Sequence, residues 1–125
     1  MGLAVTDDHT ELAATVRRWA EARGLLAGAR AALETPARAA AADGDAGETL
    51  PPWWAEVAEM GWLGLAVGAQ HGGQGYGLAE LAVVLEELGR WCAPGPLLPT
   101  VIAAVAVDRW AGAGGLARPL VDGTM

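Results

Sequence analysis

Residues 70–91 read QHGGQGYGLAELAVVLEELGRW, with four glycines in six positions followed by a long apolar-acidic segment. The glycines decide the fold class, because backbone N–H groups ahead of a helix can cradle a nucleotide phosphate, and such loops follow a β-strand. Gly73, Gly75 and Gly77 give GxGxG. A dinucleotide fingerprint places the third glycine one position later, where Leu78 stands, and needs an acid about twenty residues on. A Walker-type loop needs a lysine, and the chain has none. The stretch therefore reads as a connection between two helices in which glycines take positive φ. Behind it, Leu78, Leu81, Ala82, Leu85 and Leu88 fall on one stripe, with Glu80, Glu86, Glu87 and Arg90 elsewhere.

Helical signals continue on both sides. Thr6, Asp7 and Asp8 offer capping side chains, and Asp8 with Glu11 has the form of a capping box. Leu12, Val16, Trp19 and Ala20 recur at helical spacing until Gly24 supplies a stop, leaving Arg17 and Arg18 on a solvated face. Alanine dominates from Gly28 to Gly47, and with Pro36 breaking or restarting any helix the segment reads as a loosely held helix followed by a loop. Residues 39–49 read as a flexible connection within a single domain, 1–125. Pro51 and Pro52 open a short tryptophan-anchored helix that Gly61 closes. CAPGPLLPT turns the chain, and a helix from Thr100 to Trp110, apolar nearly all round, fits a central helix or one wall of a cavity. The expectation is an all-α orthogonal bundle of about five helices.

Composition narrows the function. The 125 residues are 53% hydrophobic and carry a net charge of -7, and the eight basic residues are all arginines, so a nucleic-acid partner is not expected. The most apolar piece, Leu97 to Val107, is about half of a membrane span. A single cysteine and the lack of a visible secretory signal point to the cytoplasm. His9 and His71 read as surface or capping residues without recognisable partners, Cys92 as a small buried hydrophobe, and Glu86 and Glu87 as a solvated face, about 100° apart on a helix. None of these forms a self-contained active site.

Read in order, MGWLGLAVGAQHGGQGYGLAELAVVLEELGRWCAPGPLLPTVIAA resembles the N-terminal helical domain of the acyl-CoA dehydrogenase family in its Gly-Trp/Leu-Leu-Gly, Gly-Gly-x-Gly and Glu-Glu-Leu-Gly progression. The run from Gly89 to Leu98 is similar to bacterial members acting on bulky acyl thioesters. The resemblance implies an FAD enzyme that dehydrogenates an acyl-CoA between its α and β carbons and passes electrons to an electron-transfer flavoprotein. It further implies a homo- or hetero-oligomer of subunits with an N-terminal helical, a β and a C-terminal helical domain. The flavin and the catalytic glutamate then belong to the later domains, so this chain alone is expected to be inactive and no catalytic residue is assigned in it. What carries over is a candidate acyl-pocket wall, Leu97, Thr100, Val101 and Ala104, which core packing would explain equally well. Where the family commonly has Pro-Glu-x-x-Gly-Gly, this chain has Gly68, Ala69, Gln70 and His71 before Gly72, which leaves open what makes the loop rigid. The alternative function is a free-standing helical docking module, or a truncated inactive remnant, that binds a partner subunit.

Overall fold

The computed structural model describes residues 5–34, 50–110 and 114–124. Among them are six α-helices and no strand: α1 Asp7–Ala22, α2 Leu25–Glu34, α3 Trp54–Glu59, α4 Leu78–Arg90, α5 Leu97–Arg109 and α6 Gly114–Val121. A single 3-10 turn, Ala69–His71, lies between α3 and α4. The all-α class holds, with six described helices against about five expected, and Gly24 (φ 62°) stops α1 as the sequence suggested. The connection expected at 39–49 lies outside the described residues.

Local chemistry sets the helix ends. Helix α1 starts on Thr6 rather than on the Asp8/Glu11 box: the Thr6 hydroxyl accepts the His9 N–H at 3.3 Å, and His9 Nδ1 accepts the Thr6 N–H at 3.2 Å. An imidazole thus plays the part usually taken by Glu in a capping box, and Asp7 and Asp8 sit in the first turn, where the helix dipole favours them. Helix α3 ends in a Schellman motif on Gly61 (φ 76°), with the Gly61 N–H on the Ala58 carbonyl and the Trp62 N–H on that of Val57. The same motif ends α4, but its left-handed residue is Cys92 (φ 53°), which is exposed rather than buried as the sequence suggested. Helix α5 begins at Leu97, three residues early. Pro99 is compatible with this start because the first N–H groups of a helix have no intrahelical partner to lose.

The helices pack chiefly as two pairs, α1 with α4 and α5 with α6. The main core gathers Val16, Val57, Leu63, Val84, Leu88 and Val101, with Trp53, Trp54 and Trp62 around them. Trp19 meets Trp53 and Trp62 edge-on, at centroid distances of 5.4 and 5.3 Å, a geometry that aromatic quadrupoles favour. A second cluster, Val67, Ala104, Ala117 and Val121, seals α6 against α5 and the glycine loop.

The buried face of α4 is Leu81, Val84, Glu87 and Leu88, while Leu78 is 53% exposed. The expected stripe is rotated because α1 packs over Glu87, whose Oε1 accepts from Arg17 Nη2 at 3.0 Å. Glu87 is therefore buried rather than part of a solvated face, while Arg17, exposed as expected, pairs with it from the surface. The carboxylate raises the Arg17 guanidinium above its ordinary range, chiefly through this hydrogen bond.

Candidate functional site

The glycine loop is closed upon itself. Every N–H from His71 to Gly77 donates within the domain: His71 and Gly73 to the Gly68 carbonyl, Gly72 to Ala69, Gln74 to Gly64, Gly75 to Val67, Tyr76 to Leu65, and Gly77 to Glu80 Oε2 at 2.9 Å. A Cβ on Gly73 would stand 2.1 Å from the Val67 carbonyl oxygen, so only glycine fits where the loop crosses itself. Seven consecutive donors are spent on this crossing, and none is left for an anion.

Carboxylates pin both ends of the loop. At one end Asp108 Oδ1, carried by α5, accepts from the Gly68 N–H at 3.2 Å and from His71 Nδ1 at 2.7 Å. At the other, Glu80 accepts the Gly77 N–H and, through Oε1, the His9 Nε2–H at 3.0 Å. His9 Nδ1 already accepts from Thr6, which places the imidazole proton on Nε2. Hydrogen bonding from His71 is the main cause holding the Asp108 carboxyl below its ordinary range, with the Gly68 N–H helping and burial opposing. For Glu80 the His9 bond leads, followed by its own N–H and that of Gly77. Both histidines thus have partners, contrary to the sequence reading, and Asp108 supplies the rigidity that the missing Pro-Glu pair left open.

The four predicted pocket residues share the inward face of α5 and are all buried: Leu97 and Thr100 at 7% exposure, Val101 at 3% and Ala104 at 0%. Leu97 and Val101 belong to the main core and Ala104 to the second cluster. The opposite face is apolar as well, with Leu98 and Ile102 exposed by 55% and 58% and Ala106 also exposed one turn on. Sequence reasoning missed this outward face because α5 carries almost no polar residue to mark its wet side. It missed too an open groove of about 740 Å³, where Leu12, Met60, Trp62 and Leu65 meet Asp8 and Glu11. None of the four α5 residues lines that groove. Among the described residues no group of three or more His, Cys, Asp or Glu side chains is placed to hold a metal, and no helix is long and apolar enough to cross a membrane.

A tight glycine crossing between helices, followed by the Glu-Glu-Leu-Gly helix and an apolar helix, is the arrangement that the sequence resemblance anticipates. Comparison with known families decides the matter: the family "Acyl-CoA dehydrogenase, N-terminal domain" matches residues 6–113. This chain belongs to the acyl-CoA dehydrogenase family. The acyl-CoA dehydrogenase FadE34 of Mycobacterium tuberculosis is 31% identical over 108 residues, which are 86% of this chain and 15% of that protein. The acyl-CoA dehydrogenase IpdE2 of Mycolicibacterium smegmatis is 43% identical over 58 residues, 46% of this chain and 19% of that protein. The chain thus spans less than a fifth of the length of these curated relatives. No solved structure gives a significant match. The flavin that the acyl-CoA dehydrogenase family implies does not fit the glycine loop, whose N–H groups are all engaged and whose Gly73 leaves no room.

Proposed function

We propose that the chain is the N-terminal helical part of an FAD-dependent acyl-CoA dehydrogenase and that α5 forms one wall of its acyl pocket. The observation that carries this reading is the double-sided α5. An amphipathic surface helix shows polar residues outward, yet here Leu98, Ile102 and Ala106 follow one another at i, i+4 and i+8 on the exposed side. A contiguous apolar surface of this kind marks a place meant to be covered. In this reading Leu98, Ile102 and Ala106 present the wall, while Leu97, Thr100, Val101 and Ala104 set its position from behind. Asp108, pinned to Gly68 and His71, holds the far end of the same helix.

The redox chemistry belongs to FAD held outside this chain, with an electron-transfer flavoprotein as the electron partner and a glutamate from a later domain as the base. The chain's own residues bound the acyl tail and keep water from it. The alternative, a docking module without turnover, uses the same face but has no reason to respond to acyl length. In the assembled dehydrogenase containing this chain, Ile102→Trp is expected to lower kcat/KM for long straight-chain acyl-CoA by roughly tenfold or more. Flavin content and Tm stay unchanged, since the side chain lies outside the core. A chain-length profile unaffected by Ile102→Trp removes α5 from the pocket.

A further inference from the structure

Helix α5 carries three polar side chains, and two of them face the domain. Thr100 is buried, and Asp108 accepts from the Gly68 N–H and from His71. The third, Arg109, is exposed. It follows Leu98 by eleven residues and Ile102 by seven, which puts it within about 20° of both around the helix axis. Arg109 thus stands in line with the outward stripe of Leu98, Ile102 and Ala106, at its end and about 16 Å along the helix from its start. A basic residue in the last turn suits the helix dipole from any side, so the dipole explains a positive charge there but not its alignment with the stripe.

The stripe and the arginine suit different parts of one ligand. Leu98, Pro99, Ile102 and Ala106 are exposed and offer no side-chain donor or acceptor. The pantetheine arm of CoA, with its two amides and a hydroxyl, would lose hydrogen bonds along such a surface, whereas hydrocarbon loses none. Where the hydrocarbon ends, the guanidinium presents paired N–H donors in the geometry that a carboxylate accepts, and its methylene stem continues the apolar surface up to that point. We propose that Arg109 receives a carboxylate at the distal end of the acyl tail, so that the substrates this chain serves are acyl-CoA thioesters whose tail carries a second, terminal carboxyl group. The inference rests on α5 being the pocket wall and names what lies along it. Once that wall is covered, a guanidinium facing a terminal methyl is left unmatched, which disfavours plain fatty tails as well as favouring carboxylated ones. The Asp108 clamp on Gly68 and His71 fixes the last turn of α5 against the glycine loop and so holds the backbone of Arg109 in place.

The test is calorimetric binding of two ligand series to the assembled dehydrogenase containing this chain. One series is straight-chain 2-enoyl-CoA thioesters from decenoyl to hexadecenoyl, products that bind without turnover, and the other is the same chains with a carboxyl group in place of the terminal methyl. The readout is the ratio of the two dissociation constants at each length. At the length that reaches Arg109, the carboxylated ligand should bind the wild type tighter by roughly tenfold or more, as expected for hydrogen bonds to a charged group. Arg109→Ala should bring that ratio to about one, and Arg109→Lys, which keeps the charge without the fork, should restore part of it. A wild-type ratio near one at every length, or a preference that survives Arg109→Ala, overturns the proposal. Equal weakening of both series by Arg109→Ala also overturns it, because the anion at the guanidinium would then be a phosphate of CoA, common to both. Ile102→Trp in the same assay tests the wall separately. If it weakens the methyl-ended series, the wall stands whatever Arg109 does; if it leaves both series untouched, the wall reading fails and the proposal falls with it.

Discussion

Replacing Gly73 with alanine tests the loop most sharply, because the added Cβ would meet backbone rather than a yielding side chain. It would lie 2.1 Å from the Val67 carbonyl oxygen and 2.5 Å from the Val67 carbonyl carbon. Reaching the 3.0 Å that Cβ contacts require means opening the crossing by about 0.9 Å. That oxygen also accepts the Gly75 N–H at 2.8 Å, and the Gly73 N–H donates to Gly68 at 3.1 Å. Losing one or both bonds, with a carbonyl left poorly paired, costs about 2–4 kcal/mol. For a chain of this size the melting temperature should fall by about 10 °C. Two other glycines calibrate the effect. Gly28 lies in α2 with open space around it, so Gly28→Ala should stabilise by about 0.5–1 kcal/mol through helix propensity. Gly75 is equally open but has a φ of 74°, so Gly75→Ala should cost about 1–2 kcal/mol from backbone strain alone. Thermal unfolding followed through the fluorescence of the Trp19–Trp53–Trp62 cluster reads all three. Equal melting temperatures for Gly73→Ala and Gly28→Ala would refute the steric argument.

Cys92→Gly should raise stability by about 1 kcal/mol in urea unfolding, because glycine adopts the left-handed Schellman position without strain. Arg17→Ala strands the buried Glu87 carboxylate with Arg90 at 3.8 Å, so it should lower the urea midpoint more than the double replacement Arg17→Met/Glu87→Met does. The Asp108 and Glu80 carboxyls are held below their ordinary values, so their contribution to stability is complete above those values and is lost as pH falls through the lower folded ones. Asp108→Asn should therefore flatten the decline of the urea midpoint between about pH 5 and pH 3. An unchanged slope would mean that the Asp108 clamp contributes nothing.

The features legible in the sequence were those written within a few neighbouring residues. Gly24 and Gly61 stop their helices with positive φ, and Pro51 lies just ahead of α3, its carbonyl accepting the Trp54 N–H at 2.9 Å. The order of motifs around the glycine loop was likewise enough to place the chain in its family. Pairings between distant elements were hidden. His9 meets Glu80 across 71 positions and Arg17 meets Glu87 across 70, and no local pattern records either partner. The α4 stripe was misjudged for the same reason, since its buried face is chosen by α1 and not by the helix itself. On α5 the apolar residues run round the helix, so periodicity could not separate the packed face from the open one.

Cross-linking addresses directly whether α5 is a wall of the acyl pocket. An acyl-CoA carrying a diazirine at the end of its acyl chain is photolysed in the assembled dehydrogenase, and the adducts are located by peptide mass spectrometry. The predicted result is labelling of this chain between Leu97 and Arg109, centred on Leu98, Ile102 and Ala106. Adducts confined to other segments, with α5 unlabelled, would contradict it.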